Sequence, residues 1–318
     1  MFDPTEDKLD RDIDESMRMF EKALVPAGDP IQPRQPDRVL LALDGSSQDQ
    51  AVVAAGHTLQ KRFDAKIFVL DARDGENEAE LQSINAATAI KGAELLSQTE
   101  GASYDQILAA VDSHNADLVI VPCPFGRDFE AIGADSAGTV IDVLVSRCPS
   151  AMLVVRNPAQ KLESALREIS LIVATECESE PLAAAWAFGL VASGGTVSLD
   201  VVTNQEQFEN LKQILSVISP EKELEPGELS KALTDSHTQL HAQMQKLAFD
   251  AGIAYSLVPQ ADEMAPPVLG EDAKQLLIVL PLEVEDRFVQ GFVHDRIRRS
   301  PHSVLLVPQD SDSLSDTE

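Results

Sequence analysis

A chain of 318 residues, 44% of them hydrophobic, has room for about two domains with real cores, and an aromatic share of 4% means those cores are built from Val, Leu, Ile and Ala. The formal net charge of −28 repels phosphate backbones and anionic membrane surfaces, which excludes nucleic acid and membrane as natural partners. Three cysteines, Cys123, Cys148 and Cys177, form neither a disulfide framework nor a Cys-x-x-Cys pair, so the expected compartment is reducing and cytoplasmic.

The start, MFDPTEDKLDRD, is acidic and lacks the positive and apolar regions of a secretion signal. Leu9, Ile13, Met17, Phe20 and Leu24 recur at spacings of three and four, which predicts a charged helix with one narrow apolar stripe. Such a helix needs a surface to dock on, either within the chain or on a partner protein. AGDPIQPRQP, residues 27–36, reads as a linker, so residues 1–36 stand before the first domain.

From residue 37 to 157 strands and helices alternate. RVLLALDG is a buried strand ending at Asp44-Gly45, and residues 48–63 are an amphipathic helix. KIFVLDA is a second strand, 77–91 a helix, AELLSQ a short third strand and YDQILAAVDSHN a helix. ADLVIVP, AGTVIDVLVSR and SAMLVVR follow as strand, helix and strand. That order predicts a doubly wound parallel α/β sheet covered on both faces.

The same order is spoken again over residues 165–309. EISLIVAT, a helix over 181–192 and TVSLDVVT come first; then a helical stretch from about Pro226 to Ala251, IAYSLVPQ, QLLIVLP, DRFVQGFVHDRIRRS and HSVLLVP. The two endings, ADLVIVP to CPSAMLVV and KQLLIVLP to SPHSVLLV, match in outline, so the chain is read as two tandem Rossmann-like domains. The apolar strands 150–156 and 302–308 are expected to lie antiparallel to each other, within one chain or across a homodimer. DSDSLSDTE, residues 310–318, is an acidic tail of disordered composition.

Ligands of open parallel sheets sit beyond the carboxyl ends of the strands where strand order reverses. In the first domain those ends carry Asp44-Gly45-Ser46 and Pro122-Cys123-Pro124-Phe125-Gly126, followed by Gly138-Thr139 at a helix start, where free N–H groups and the helix dipole suit an anion. The order of strand, Asp-Gly-Ser, helix, ADLVIV, glycine loop, Gly-Thr, and a short helix ending in Cys-Pro resembles the universal stress protein family, closely over 37–156 and loosely over 168–309. That resemblance implies ATP or another adenine nucleotide, with Asp44 and Val69 framing the adenine and Gly126, Gly138 and Thr139 serving the phosphates. Two departures from the family's glycine pattern stand out: Cys123 takes the first glycine's place, and eleven residues, not nine, separate Gly126 from Gly138. They leave open a second reading, an interaction scaffold with both sites vestigial, and a third, a slow ATP hydrolase.

No catalytic or metal set emerges from spacing. Gly133 to Thr139 mimics a phosphate loop but has Thr139 where the lysine belongs, and NAD's glycine fingerprint is absent. His237 and His241 are one helical turn apart but lack a third ligand. Arg296, Arg298 and Arg299 are expected to serve a helix end, Trp186 a core, Cys148 a buried helix end, and Cys123 a loop thiol. In the second domain Thr175-Glu176-Cys177 replaces Asp-Gly-Ser, and Glu283, Glu285 and Asp286 crowd the phosphate position, so that domain is expected to stay empty.

Overall fold

The computed structural model describes residues 30–73, 81–126, 137–174, 177–202, 237–260, 275–283 and 287–309. The striped segment 5–24, the acidic tail, residues 127–136 and 284–286, and the first part of the stretch from Pro226 lie outside the described residues.

Apolar runs become the inner strands, with polar alternation only at the starts of EISLIV and TVSLDVV. These are β1 (Arg38–Leu43), β2 (Lys66–Asp71), β4 (Leu118–Pro122) and β5 (Ala151–Val155) in the first half of the chain. In the second half they are β6 (Glu168–Val173), β7 (Thr196–Val202), β9 (Leu277–Leu282) and β10 (Val304–Pro308). Two outer strands, β3 (Glu94–Leu95) and β8 (Ala254–Gln260), complete one sheet in the order β3-β2-β1-β4-β5-β10-β9-β6-β7-β8. β3 is far shorter than AELLSQ suggested, with both of its residues exposed, as suits a blunted sheet edge. Each half repeats the other's strand order in reverse across the sheet, so the fold is α/β and doubly wound twice over.

The halves meet at β5 and β10. This pair is antiparallel, with Val304 opposite Val154, Leu305 opposite Leu153 and Leu306 opposite Met152. The other eight pairings are parallel. The expected pairing of the two terminal strands therefore occurs inside a single chain.

Helices cover both faces. On one lie α1 (Asp49–Phe63), α2 (Leu81–Thr88), the short α5 (Leu162–Ala165), α6 (Glu180–Leu190) and α7 (Thr238–Ala251). On the other lie α3 (Ser103–His114), α4 (Thr139–Arg147) and α8 (Arg287–Arg299). α5 was not foreseen; it sits in the connection between the halves and buries Leu162 and Ala165. Each face carries one core that crosses the seam: Leu41, Leu153, Leu305 and Leu171 share one, Leu40, Met152, Leu306 and Ile278 the other. Trp186 is buried in the first of these, as expected of a core residue.

The described part of the linker, from Pro30, packs against α6. Ile31 is buried, Arg34 donates its N–H to the Ala185 carbonyl at 2.9 Å, and its guanidinium lies 5.5 Å from the Trp186 ring centre. Gly189 permits this contact: a Cβ there would stand 1.8 Å from the Arg34 carbonyl oxygen. No helix among the described residues is long and apolar enough to cross a membrane.

Truncating the seam should be costly because Leu305 has no accessible surface. Leu305→Ala is expected to lower stability by about 2–5 kcal/mol, read as a shifted urea midpoint. An unchanged midpoint would show that the seam contributes nothing to the fold.

Candidate functional site

In the first half the strand order reverses between β1 and β4, and the crevice beyond their ends is the place to look. The turn after β1 is built around two acids. Asp49, in the first turn of α1, reaches back so that its carboxyl accepts the Asp44 N–H at 3.1 Å and the Gly45 N–H at 3.0 Å. Asp44 in turn accepts the Ser46 N–H at 2.8 Å, and its other oxygen accepts the Gly126 N–H at 2.6 Å. The last bond crosses the crevice from β1 to the loop after β4.

Burial sharpens the electrostatics. Asp49 is 1% exposed, and desolvation together with the charge of Asp44 pushes its pKa from 3.8 up to about 8. The pair thus shares one negative charge near neutral pH, with Asp49 holding a proton toward Asp44.

Behind the turn, Gln48 is fully buried and its amide donates to the Cys123 carbonyl and, at 3.1 Å, to the Arg156 carbonyl. Cys123 is fully buried, and its Sγ lies 3.9 Å from the Arg156 guanidinium. Desolvation pushes the thiol up to about 11 despite that cation, so Cys123 is a buried packing residue and not an exposed loop thiol. Cys148, at the end of α4, is buried as expected.

Gly126 and Gly138 both adopt positive φ, at +71° and +88°, a region that favours glycine. Gly138 is the N-cap of α4, and a Cβ there would lie 3.6 Å from the Phe125 backbone. Gly126 is thus bonded to Asp44 at the end of β1, and Gly138, with Thr139 after it in α4, stands beside Phe125 next to Gly126. Residues 127–136, which include the phosphate-loop mimic from Gly133, lie between.

Val69 is placed elsewhere. It has no accessible surface, pairs with Leu41 two residues short of the end of β2, and packs in the core under α1 and α2. Its carbonyl accepts the Leu96 N–H at 2.8 Å. A base held at the end of β2 would instead meet Asp71, whose carboxylate grips Arg73 at 2.6 Å.

The second crevice, between β6 and β9, is an open cavity of about 570 Å³ lined by Cys177, Glu178, Glu180, His237, Gln243 and Glu283. Glu283 spans it, accepting the Glu178 N–H at 2.5 Å. Glu180 accepts the Cys177 N–H at 3.1 Å and stands 3.3 Å from His237 Nε2. Burial pushes the Cys177 thiol up to about 12, which leaves it no thiolate at neutral pH. Glu285 and Asp286 lie outside the described residues.

The two histidines of the helical pair diverge: His237 turns to Glu180, whereas His241 Nδ1 meets the Tyr255 hydroxyl at 2.9 Å. Among the described residues no cluster of three His, Cys, Asp or Glu is arranged for a metal. Arg296 is 3% exposed and lies over the Phe292 ring at 5.1 Å. Arg298 sits 3.8 Å from Asp142 on α4, and the Arg299 side chain lies outside the described residues. What the sequence reading missed is the role of Asp49 and Gln48, although an acid one residue into a helix after Asp-Gly-Ser is a detectable signal of a capped turn.

The Asp44–Asp49 pair gives stability a pH dependence. Asp49's folded pKa is raised, so the folded chain binds the extra proton and stabilisation is full below the unfolded value of 3.8 and lost as pH rises through about 8. Asp49→Asn keeps a donor toward Asp44 without a titrating proton. Urea unfolding at about pH 5 and about pH 8 is expected to show wild type losing stability relative to Asp49→Asn; parallel behaviour would mean that Asp49 is ionised throughout.

The fold has solved counterparts. A universal stress protein from Archaeoglobus fulgidus superposes with a TM-score of 0.55 at 14% identity, covering 86% of this chain and 98% of its own. A putative universal stress protein from Pseudomonas aeruginosa gives 0.54 at 9% identity, covering 86% and 94%. A functionally unknown protein from the same species gives 0.53 at 10% identity, covering 89% and 98%. Those coverages run through both halves of the sheet, so the tandem universal stress protein fold is the architecture of this chain. No family model matches the sequence, and no curated protein matches it.

Proposed function

We propose that this chain is a stress-response binding protein with one adenine-nucleotide site, in the first half, whose phosphate-binding amide is held by Asp44 until a ligand displaces it. The observation that carries this reading is the 2.6 Å bond from the Gly126 N–H to the Asp44 carboxylate. It supports an anion-holding loop, since the amide already holds an anion and belongs to a glycine of positive φ. The α4 N-terminus at Gly138-Thr139 adds first-turn donors and a favourable dipole for the remaining phosphate oxygens. Asp44 is then a competitor for the phosphate site rather than a contact to the base.

The second crevice fits no triphosphate. Glu178, Glu180 and Glu283 line it, and like charges there oppose phosphate. One observation favours the scaffold reading: in both halves a carboxylate of the chain itself already bridges the crevice, Asp44 to Gly126 and Glu283 to Glu178.

Titration calorimetry with ATP and ADP separates these readings. Binding is expected at one site per chain. Gly138→Asp should abolish it by adding a like charge and a side chain at a strained position. Asp44→Asn should tighten it on the order of tenfold by removing the competing charge. Weaker binding by Asp44→Asn would return Asp44 to the role of base contact. Absence of heat from wild type and Asp44→Asn alike would leave the scaffold, and two sites per chain would refute the asymmetry.

A further inference from the structure

One surface feature belongs to neither crevice. A cavity of about 730 Å³ runs between α1, α2 and the connection ahead of α5, and a second of about 590 Å³ continues from it toward the end of α6. They share His57, Thr58 and Glu163, so they form one groove. At the α2 end its walls are small and apolar: Val53 and the exposed Ala54, Ala86 and Ala89, with Ile90 beneath. At the α6 end it is basic, with Lys61, Arg62 and Arg167; Lys161 and His57 lie between, and Glu163 is the only acid lining either cavity. In a chain with 25 Lys and Arg against 53 Asp and Glu, that local excess of positive charge is out of keeping with the rest of the molecule.

We infer that this groove receives the amphipathic N-terminal segment of the same chain, residues 9–24. Its chemistry is complementary on both counts. Leu9, Ile13, Met17, Phe20 and Leu24 supply a narrow apolar stripe for a narrow apolar trough lined by alanine. Residues 3–24 carry eight acids and four bases, an acidic face for the basic wall.

The tether agrees. The described chain begins at Pro30 on α6, with Ile31 buried and Arg34 bonded to Ala185. The far end of α6 adjoins α1, because the Arg62 guanidinium donates to the Val191 carbonyl, and the groove opens there at Ala192 and Ser193. The seven residues from Leu24 to Ile31 reach about 25 Å when extended, and a helix over 9–24 is about 24 Å long. The tether thus starts on the helix beside which the groove opens. The acidic tail carries a lone leucine, Leu314, and no stripe, so it is the poorer occupant.

Limited proteolysis of the full chain, with light scattering alongside, tests the assignment. Ala54→Glu with Ala89→Glu lies on exposed positions and leaves the core intact. It is expected to speed cleavage within residues 1–24 roughly tenfold, as should Ile13→Asp with Phe20→Asp. The combination of all four changes should be no faster than either pair, because both remove one contact. Equal cleavage of wild type and the Ile13/Phe20 variant overturns the docking. Acceleration by the Ile13/Phe20 pair but not by the alanine pair places the segment elsewhere. A concentration-dependent doubling of mass that the alanine pair abolishes makes the occupant a second copy and overturns the intramolecular assignment. Faster exposure of the groove to hydrogen exchange on deleting residues 310–318 alone would give the groove to the tail.

Discussion

The antiparallel contact between β5 and β10 is the constraint on which the rest of the molecule depends. Every residue of both strands is buried. Alone, either half would end in an apolar edge strand with unpaired amides and carbonyls, a ready template for aggregation. Joining the edges removes both at once and fuses the two cores of each half into two long ones that cross the seam. It also places helices of one half against the other. Arg156, just after β5, donates to the Ile297 carbonyl of α8 at 2.9 Å, and Asp142 on α4 lies 3.1 Å from His294 and 3.8 Å from Arg298. The helix that would hold phosphate in the first half is therefore steadied by side chains of the second.

Much of this was legible in the sequence because it rests on period and repetition. Uninterrupted runs such as RVLLAL and LIVLPL can only be strands covered on both sides, and the repeated ending of strand, helix and strand announces the tandem. Gly126 and Gly138 were legible for a similar reason, since a glycine in a loop at a strand's end marks unusual backbone. Val69 was not. Its assignment rested on position along a strand, whereas burial depends on which side of the sheet α1 and α2 cover, and that is a tertiary fact. Asp44 was half legible: its place is right, but its partners include an amide 82 residues away that no local pattern names. Arg296 was only partly legible: a cation near a helix end suits the dipole on average, but its burial over Phe292, which pulls its pKa down against Asp295 and Asp200, is a tertiary fact.

The two crevices use one device with different charges. In each half an acid in the first turn of the helix after the leading strand folds back onto the preceding turn: Asp49 onto Asp44 and Gly45, Glu180 onto Cys177. Such an acid satisfies amides of the turn that precedes its own helix, which would otherwise lack a partner in that turn. What neighbours it decides the outcome. Asp49 meets another carboxylate, so it takes up a proton and the turn carries a single shared charge. Glu180 meets His237, so its charge is balanced by a group that can itself become cationic. In the first crevice Asp44 accepts the Gly126 N–H across the gap. In the second, Glu283 and Glu180 are anchored to backbone amides of the same short turn. Displacing them would leave carboxylates in a cavity already lined by a third acid, Glu178. The two crevices thus differ in the residue that stands beside each folded-back acid, Asp44 in the first and His237 in the second.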